Sequence, residues 1–393
     1  MQNNPVIVDI VRSPMGRGKA GGLLSEVHPV DLLSQTLVGL LKRNPALDPG
    51  LVGDVIVGCV SQAGEQGFPP GRSAWLGAGL PIHVPSTTVD RRCGSSQQAL
   101  HFAAQVIASG DHEIVLAGGI ESMSRVPMGS ARLGQDVFGP AYRARFPIDV
   151  GQGVAAELVA ARWNIGRDEM DAYAASSHDR AEATRKAGGL ANEIVAIDTP
   201  AGPVHEDETI RPGTTPESLS GLRTVFMDDA IGRQFPQINW SVTAGNSSQI
   251  TDGAAMALIM SEAAATRLGL RPRARIVACD VIADDPLLML TAPIPATQRV
   301  LRKAGLAVSD IDQFEVNEAF ASVPLAWQRE LHADPAKLNP RGGAIALGHP
   351  LGASGTRLMA SLLNGLEETG GRYGLQTMCE AGGQANATII ERL

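Results

Sequence analysis

Aromatic side chains are scarce in this chain, at 4% of residues. A core must therefore be built from Ala, Val, Ile and Leu, with close backbone approaches at some of the 44 glycines, a composition common in α/β enzymes. Cysteines are few as well. Cys59, Cys93, Cys279 and Cys379 lie far apart and form no C-x-x-C pair, which excludes a disulfide framework and a zinc cage and fits a reducing compartment. Basic charge is not in excess: the formal net charge of −8 offers no stripe for nucleic acid. No apolar run approaches the roughly 20 residues of a membrane-spanning helix. The N-terminus, from Met1 to Ile10, carries neither a basic region nor a long apolar signal segment. These absences predict a soluble, cytoplasmic protein in which the sequons at Asn239, Asn246 and Asn386 carry no glycosylation meaning. The 393 residues suffice for two or three domains with sizeable cores.

What is present centres on Thr87-Thr88-Val89-Asp90-Arg91-Arg92-Cys93-Gly94-Ser95-Ser96. A β-branched run precedes it and a helical pattern follows, with Ala99, Leu100, Ala103, Val106 and Ile107 on one face and Gly110 as the closing residue. Cys93 is thereby placed at a helix N-terminus, where unpaired N–H groups and the helix dipole favour a thiolate. It is a candidate nucleophile, although a lone cysteine also serves as a small buried hydrophobe.

The chain around it reads as a duplication. Strand 6–11 is followed by Gly16-x-Gly18-x-x-Gly21, which matches a dinucleotide fingerprint but is separated from any helix, so a flexible loop is expected. A helix over 29–41 turns Val30, Leu33, Leu37 and Leu41 inward and leads to strand 54–58. A second such series has a helix over 297–303 and a strand at 314–317. Strand 87–89, Cys93, helix 97–109 and strand 114–118 are matched by the glycine-rich turn 348–355, helix 356–366 and strand 373–378. Two βαβ-rich copies follow, each a mostly parallel sheet with helix layers. Residues 121 to about 245 interrupt the pattern with helices at 153–163 and 168–187 and an irregular, proline-bearing stretch at 199–237, as a lid or binding loop would. Strand 255–260 then rejoins the first copy.

Three further segments carry polar chemistry among small residues. Asn317-Glu318-Ala319-Phe320 stands where a strand gives way to a helix, so Asn317 is either a site residue or a plain N-cap. His349 lies in the turn Gly348-His349-Pro350-Leu351-Gly352, between glycines that permit close approach; a phosphate cradle competes, but no G-K-[S/T] follows. Cys379-Glu380-Ala381-Gly382-Gly383 ends a strand and supplies backbone N–H groups that could face an oxyanion. Two thiols, an imidazole and a carboxamide thus collect at strand ends, the usual site of open α/β folds.

With these motifs in order, the chain resembles the thiolase family of acetyl-CoA C-acyltransferases. The resemblance rests on Cys93-Gly94-Ser95 with Gln98, Thr243 through Ser248 with Asp252-Gly253-Ala254-Ala255, and Asn317 through Phe320. It continues through Gly342-Gly343, Gly348-His349-Pro350, Gly352, and Cys379 with Gly382-Gly383. It implies a five-layered αβαβα fold from two duplicated domains, 1–120 with 246–270 and 271–393, plus a loop domain, 121–245, over the active site. It implies 3-ketoacyl-CoA cleavage to acetyl-CoA and a shortened acyl-CoA, or the reverse condensation. Cys93 would carry the acyl group, His349 would activate it, and Cys379 would serve the acetyl-CoA α-carbon as acid and base. Asn317 would hold a water in one oxyanion hole, and the N–H groups of Cys93 and Ala381 would form the other. Ser248, Arg211 and Arg223 would contact CoA. The resemblance further implies no metal, no permanently bound cofactor, coenzyme A or acetyl-CoA as cosubstrate, acyl-CoA partners, and a homodimer or homotetramer.

Some positions depart from the family. Ser96 replaces a glycine and is expected to narrow the space near Cys93; Ala381 and Ala385 also replace glycines, which restricts the backbone at 381. Gly151 and Gln152 stand where acetoacetyl-CoA-specific members carry His-Met, which favours a wider acyl pocket and a degradative enzyme for bulky substrates. An acetoacetyl-CoA-forming acetyltransferase is the alternative. A decarboxylating ketosynthase or a hydroxymethylglutaryl-CoA synthase would share Cys93 but has no need of Cys379. A non-catalytic scaffold would be expected to lose Cys93, His349 or Cys379.

Overall fold

The computed structural model describes residues 3–148 and 150–393, so Met1, Gln2 and Asp149 lie outside the described residues. The strands are β1 (Pro5–Arg12), β2 (Gly16–Arg17), β3 (Asp54–Gly58), β4 (Ser86–Val89), β5 (Ile114–Ser122), β6 (Ile197–Thr199), β7 (Gly202–Val204), β8 (Thr251–Ser261), β9 (Ala274–Ala283), β10 (Gln313–Val316), β11 (Tyr373–Glu380) and β12 (Gln384–Arg392). All but β6 and β7 join one sheet, ordered β10-β11-β12-β9-β1-β8-β5-β3-β4 with β2 beside β8.

The two halves of that sheet repeat each other. In the first, β3 and β5 run parallel while β8 and then β1 continue antiparallel; β10, β11, β12 and β9 do the same in the second. β10 starts 259 residues after β3 (313 − 54), and β11 starts 259 after β5 (373 − 114). Even the edge strand β4 has a remnant counterpart, a parallel bridge from Leu338 to Phe314. The halves meet through two residue pairs of β1 and β9.

Between them lie the helices Ser95–Ser109 and Ser354–Thr369. Ala99, Leu100, Ala103 and Ile107 share a core with Met359, Ala360, Leu362 and Leu363, and with Ile7, Val115, Ala257 and Ile259 of the first half-sheet. The opposite sheet faces are covered by Pro29–Arg43 and Pro293–Ala304. Helix, sheet, helix pair, sheet and helix make the five αβαβα layers. Glycines let the middle layer close: a Cβ on Gly355 would stand 2.2 Å from the Gln97 backbone nitrogen.

The inserted segment has its own core. Helices Gln152–Arg162 and Arg167–Lys186 bring Val154, Leu158, Val159 and Met170 against Ala319, Phe320 and Val323, so the insertion rests on the segment that carries Asn317.

The sequence reading is corrected at several points. In Pro29–Arg43 the buried face is Leu32, Leu33, Thr36, Leu37 and Leu40, with Val30 and Leu41 at its flanks. The helix is rotated because its apolar stripe centres on Leu33 and Leu37. Gly16–Gly21 is not a free loop: Gly16 and Arg17 pair with Asp252 and Thr251, and Gly18 N–H donates to Ile250 O at 2.9 Å. The stretch 199–237 includes β7, paired with β6, and two short helices, Pro216–Ser220 and Asp229–Gln234, the former begun by a Thr215 capping box. Asn317 caps no helix, since the next one starts at Ser322.

Candidate functional site

Cys93 is held by a tight turn. Asp90 Oδ1 accepts from Arg92 N–H at 2.8 Å, Ser95 Oγ accepts from Arg91 N–H at 2.9 Å, and Ser95 Oγ donates to Arg92 O at 2.6 Å. Arg92 takes φ +49 to make the bend, and Gly94 caps the Ser95–Ser109 helix. Cys93 is 5% exposed and shares an apolar cluster with Val60, Met123, Leu351 and Met378, the last two neighbouring His349 and Cys379. Glu121 ties these segments, accepting from the N–H groups of Val60, Ser61 and Gly352 at 2.9–3.0 Å.

The expected thiolate is corrected. Burial, then the nearby Glu380, push the Cys93 thiol up to about 12, against the weaker pull of its backbone N–H environment and Arg92. Desolvation outweighs the helix N-terminus here. Cys379, in β11, is 1% exposed and is pushed well above its usual range by burial, by Cys93 and by Glu380. Each sulfur is therefore a neutral thiol, and an ionised Cys93 would raise Cys379 further.

His349 is also buried, at 5% exposure. Its N–H donates to Gln249 O at 3.1 Å and Thr251 Oγ1 at 3.0 Å. Its Nδ1 lies 2.6 Å from Ser354 Oγ, whose proton goes to Pro350 O at 2.7 Å. Nδ1 is therefore the protonated nitrogen, and Nε2 presents a lone pair. Asn317 Nδ2 faces that lone pair at 3.4 Å, while Asn317 Oδ1 is buried without a partner among the described residues. Burial, then Arg357, hold the imidazole down to about 3. It is a neutral base whose Nε2 lone pair is met only by the long Asn317 contact among the described residues.

Asn317 is positioned by its neighbour. The Glu318 carboxylate accepts from Tyr173 OH (3.0 Å), Asn339 Nδ2 (3.0 Å), Ser177 Oγ (2.7 Å) and Ile345 N–H (3.1 Å). It thus ties the inserted Arg167–Lys186 helix to the loops bearing Asn317 and His349. Ser354, Glu318 and Glu121 have no role in the sequence reading. Glu121 alone had a local signal, a charge inside an otherwise apolar strand; the other two needed tertiary contacts.

The remaining positions are distributed as follows. Ser248 is half-buried, and its N–H donates to Ala319 O at 2.9 Å. Arg211 is exposed and donates to Gln249 Oε1 at 3.0 Å, one residue from Ser248. Arg223 is exposed, with no hydrogen-bond or ion-pair partner among the described residues. Ala381 keeps its N–H in the β11–β12 turn, where only Gly382 (φ +88) and Gly383 (φ +76) need left-handed backbone, so alanine at 381 costs no strain. Ser96 is a second correction: its Oγ accepts from Thr356 N–H at 3.0 Å, fastening the two central helices instead of crowding Cys93. Gly151 is exposed, and a Cβ there would meet nothing within 4 Å.

Comparison with known proteins gives the family. Residues 5–263 match the thiolase N-terminal domain and residues 270–392 the thiolase C-terminal domain. A steroid 3-ketoacyl-CoA thiolase of Mycobacterium tuberculosis is 48% identical, over 98% of this chain and 94% of its own length. A 3-ketoacyl-CoA thiolase of Pseudoalteromonas translucida is 45% identical over 100% and 99%. The crystal structure of the Bacillus anthracis acetyl-CoA acetyltransferase superposes with a TM-score of 0.88 at 36% identity, covering 100% of this chain and 99% of that one. Five layers, a buried thiol pair and full-length likeness lead to one conclusion: this chain belongs to the thiolase family of CoA-dependent acyltransferases.

Proposed function

We propose that the enzyme cleaves 3-ketoacyl-CoA with a wide acyl pocket, using Cys93 as nucleophile, His349 as its base and Cys379 as the acid. The observation that carries this reading is the state of His349: buried, neutral, protonated on Nδ1 by the Ser354 contact, with the Nε2 lone pair turned to Asn317 Nδ2 at 3.4 Å. A neutral imidazole can take the proton of a neutral thiol as the sulfur attacks the substrate's 3-keto carbon, the role assigned to His349 toward Cys93. The developing oxyanion needs preorganised donors, for which the N–H groups of Cys93 and Ala381 are assigned, while Asn317 and His349 serve the enolate oxygen of the acetyl-CoA unit. The C2–C3 bond then breaks. Its electron pair takes a proton from Cys379 Sγ to give acetyl-CoA, leaving the acyl group as a thioester on Cys93. The incoming CoA thiol returns a proton to Cys379 and its sulfur attacks the thioester. The leaving Cys93 sulfur recovers the proton held by His349, so the cycle closes.

Ser248, Arg211 and Arg223 are assigned to the CoA tail, the two arginines because exposed guanidinium groups suit its phosphates. Gly151 and Gln152, standing where the acetoacetyl-CoA-specific pattern has His-Met, are the reason for assigning bulky acyl groups over acetoacetyl-CoA as the preferred substrate. Two measurements test this. Intact mass after incubation with acetyl-CoA is expected to show an acetyl adduct that disappears in Cys93→Ala. Steady-state rates over a panel of acyl chains are expected to favour longer or branched 3-ketoacyl-CoAs; much faster turnover of acetoacetyl-CoA would overturn the wide-pocket assignment.

A further inference from the structure

Beside the two thiols lies a carboxyl group for which acyl transfer has no obvious use. Glu380 follows Cys379 in β11, is 0% exposed, and neither of its oxygens has a hydrogen-bond partner among the described residues. A Cβ on Gly94, the residue after Cys93, would sit 1.9 Å from Glu380 Oε1 and 3.1 Å from Asn386 Oδ1. The carboxyl thus fills the space that a side chain at 94 would need. Asn386 Oδ1 is buried and unpartnered as well. Its amide cannot be turned to offer a donor, because Asn386 Nδ2 already faces Gln98 Oε1 at 3.1 Å and His101 Nδ1 at 3.2 Å. Two buried acceptors, neither of them hydrogen-bonded by the donors that lie nearest the carboxyl (the Asn386 backbone N–H and the Arg91 guanidinium), meet under the nucleophile's turn, and a single proton would satisfy both.

We infer that Glu380 is a positioning residue of the acyl-transfer site: as a neutral carboxylic acid it donates to Asn386 Oδ1, holds the β11–β12 turn against Gly94, and so sets the spacing of the Cys93 and Ala381 N–H groups. The inference rests on the assignment of Cys93 as nucleophile. The charged and titratable groups that interact with the carboxyl are Arg91, Cys93 and Cys379, with Arg92 and Glu121 next to Cys93 and His101 next to Asn386. Burial holds His101 down to about 3, so it is neutral. Burial pushes Glu380 up to about 8, while Arg91 and the Asn386 backbone pull it the other way. Once ionised, Glu380 raises both thiols, so loss of its proton works against the nucleophile.

The test compares the wild type with Glu380→Gln, which keeps the volume and supplies an N–H donor, and with Glu380→Ala. Single-turnover acylation of Cys93 by acetyl-CoA is followed by intact mass from pH 6.5 to 9.5, alongside kcat and KM. At pH 7 Glu380→Gln is expected within about twofold of wild type. At pH 9 it is expected to acylate at least about threefold faster, the effect of half a pK unit on Cys93. Glu380→Ala is expected to lose about tenfold in kcat with KM unchanged, the size of one lost hydrogen bond. Coincident pH profiles for Glu380→Gln and wild type would overturn the inference. So would a glutamine variant as impaired as the alanine one while its circular dichroism and Tm match wild type. Failure of the nucleophile assignment reads differently, as no adduct in the wild type or an adduct that survives Cys93→Ala.

Discussion

Replacing Ser354 by alanine isolates the contact that fixes the His349 tautomer. In the native site His349 Nδ1–H donates to Ser354 Oγ at 2.6 Å, and the hydroxyl proton goes to Pro350 O. Pro350 O retains the Ala353 N–H at 3.0 Å after the change, but the buried imidazole N–H is left without an acceptor. A buried unsatisfied donor costs about 1–3 kcal/mol of stability. The catalytic loss is separate. When Nε2 takes the Cys93 proton the ring becomes a cation, and a hydrogen bond to a charged group is worth about 1.5–3 kcal/mol against about 1 for a neutral one. The difference, about 0.5–2 kcal/mol, is felt only in the transition state and lowers kcat by about 2- to 30-fold. A ring free to move its proton to Nε2 adds to this, since that tautomer cannot act as the base. The expected total is about 10- to 100-fold in kcat. Single-turnover acylation by acetyl-CoA, read by intact mass, and steady-state thiolysis measure it, with Tm as the control for folding. A folded Ser354→Ala enzyme within twofold of wild type would refute the tautomer argument.

Two further outcomes follow from buried groups. Glu318→Ala removes one acceptor from four donors and leaves Tyr173, Ser177 and Asn339 partly unsatisfied; a loss of about 3–5 kcal/mol is expected in denaturant unfolding, and a loss under about 1 kcal/mol would count against the clamp. Stability is expected to fall as pH rises from 6.5 to 8. Burial raises both Glu315 and Glu380 to about 8, so the native state keeps two protons that the unfolded chain has already released. The slope is up to about 2.7 kcal/mol per pH unit. Below 6.5 the trend is opposed, because the buried rings of His101, His178 and His349 refuse protons that the unfolded chain binds. Tm measured across this range checks the sign, and a Tm that rises from pH 6.5 to 8 would contradict it.

Family and site residue types were legible in the sequence because both are local. The repeat separation of 259 residues needs only strands read from apolar runs, Cys93 and His349 stand in short glycine-bearing turns, and Cys379 ends a strand just before one. The protonation states were not legible. Cys93 at a helix start reads as acidic, yet burial beside Glu380 makes it a weak acid, and burial is a property of the packed layers. Ser96 gave the same lesson in steric form: a larger residue after Cys-Gly-Ser reads as crowding, but its hydroxyl turns toward Thr356 N–H on the neighbouring helix.

What the amino-acid order determined by itself is the set of elements and their duplication, because hydrophobic period and turn chemistry act over a few residues. Only the tertiary structure decided which nitrogen of His349 is free, which thiols keep their protons and which loop Glu318 clamps. Those outcomes depend on desolvation and hydrogen bonds between residues tens to hundreds of positions apart, and no local pattern encodes them.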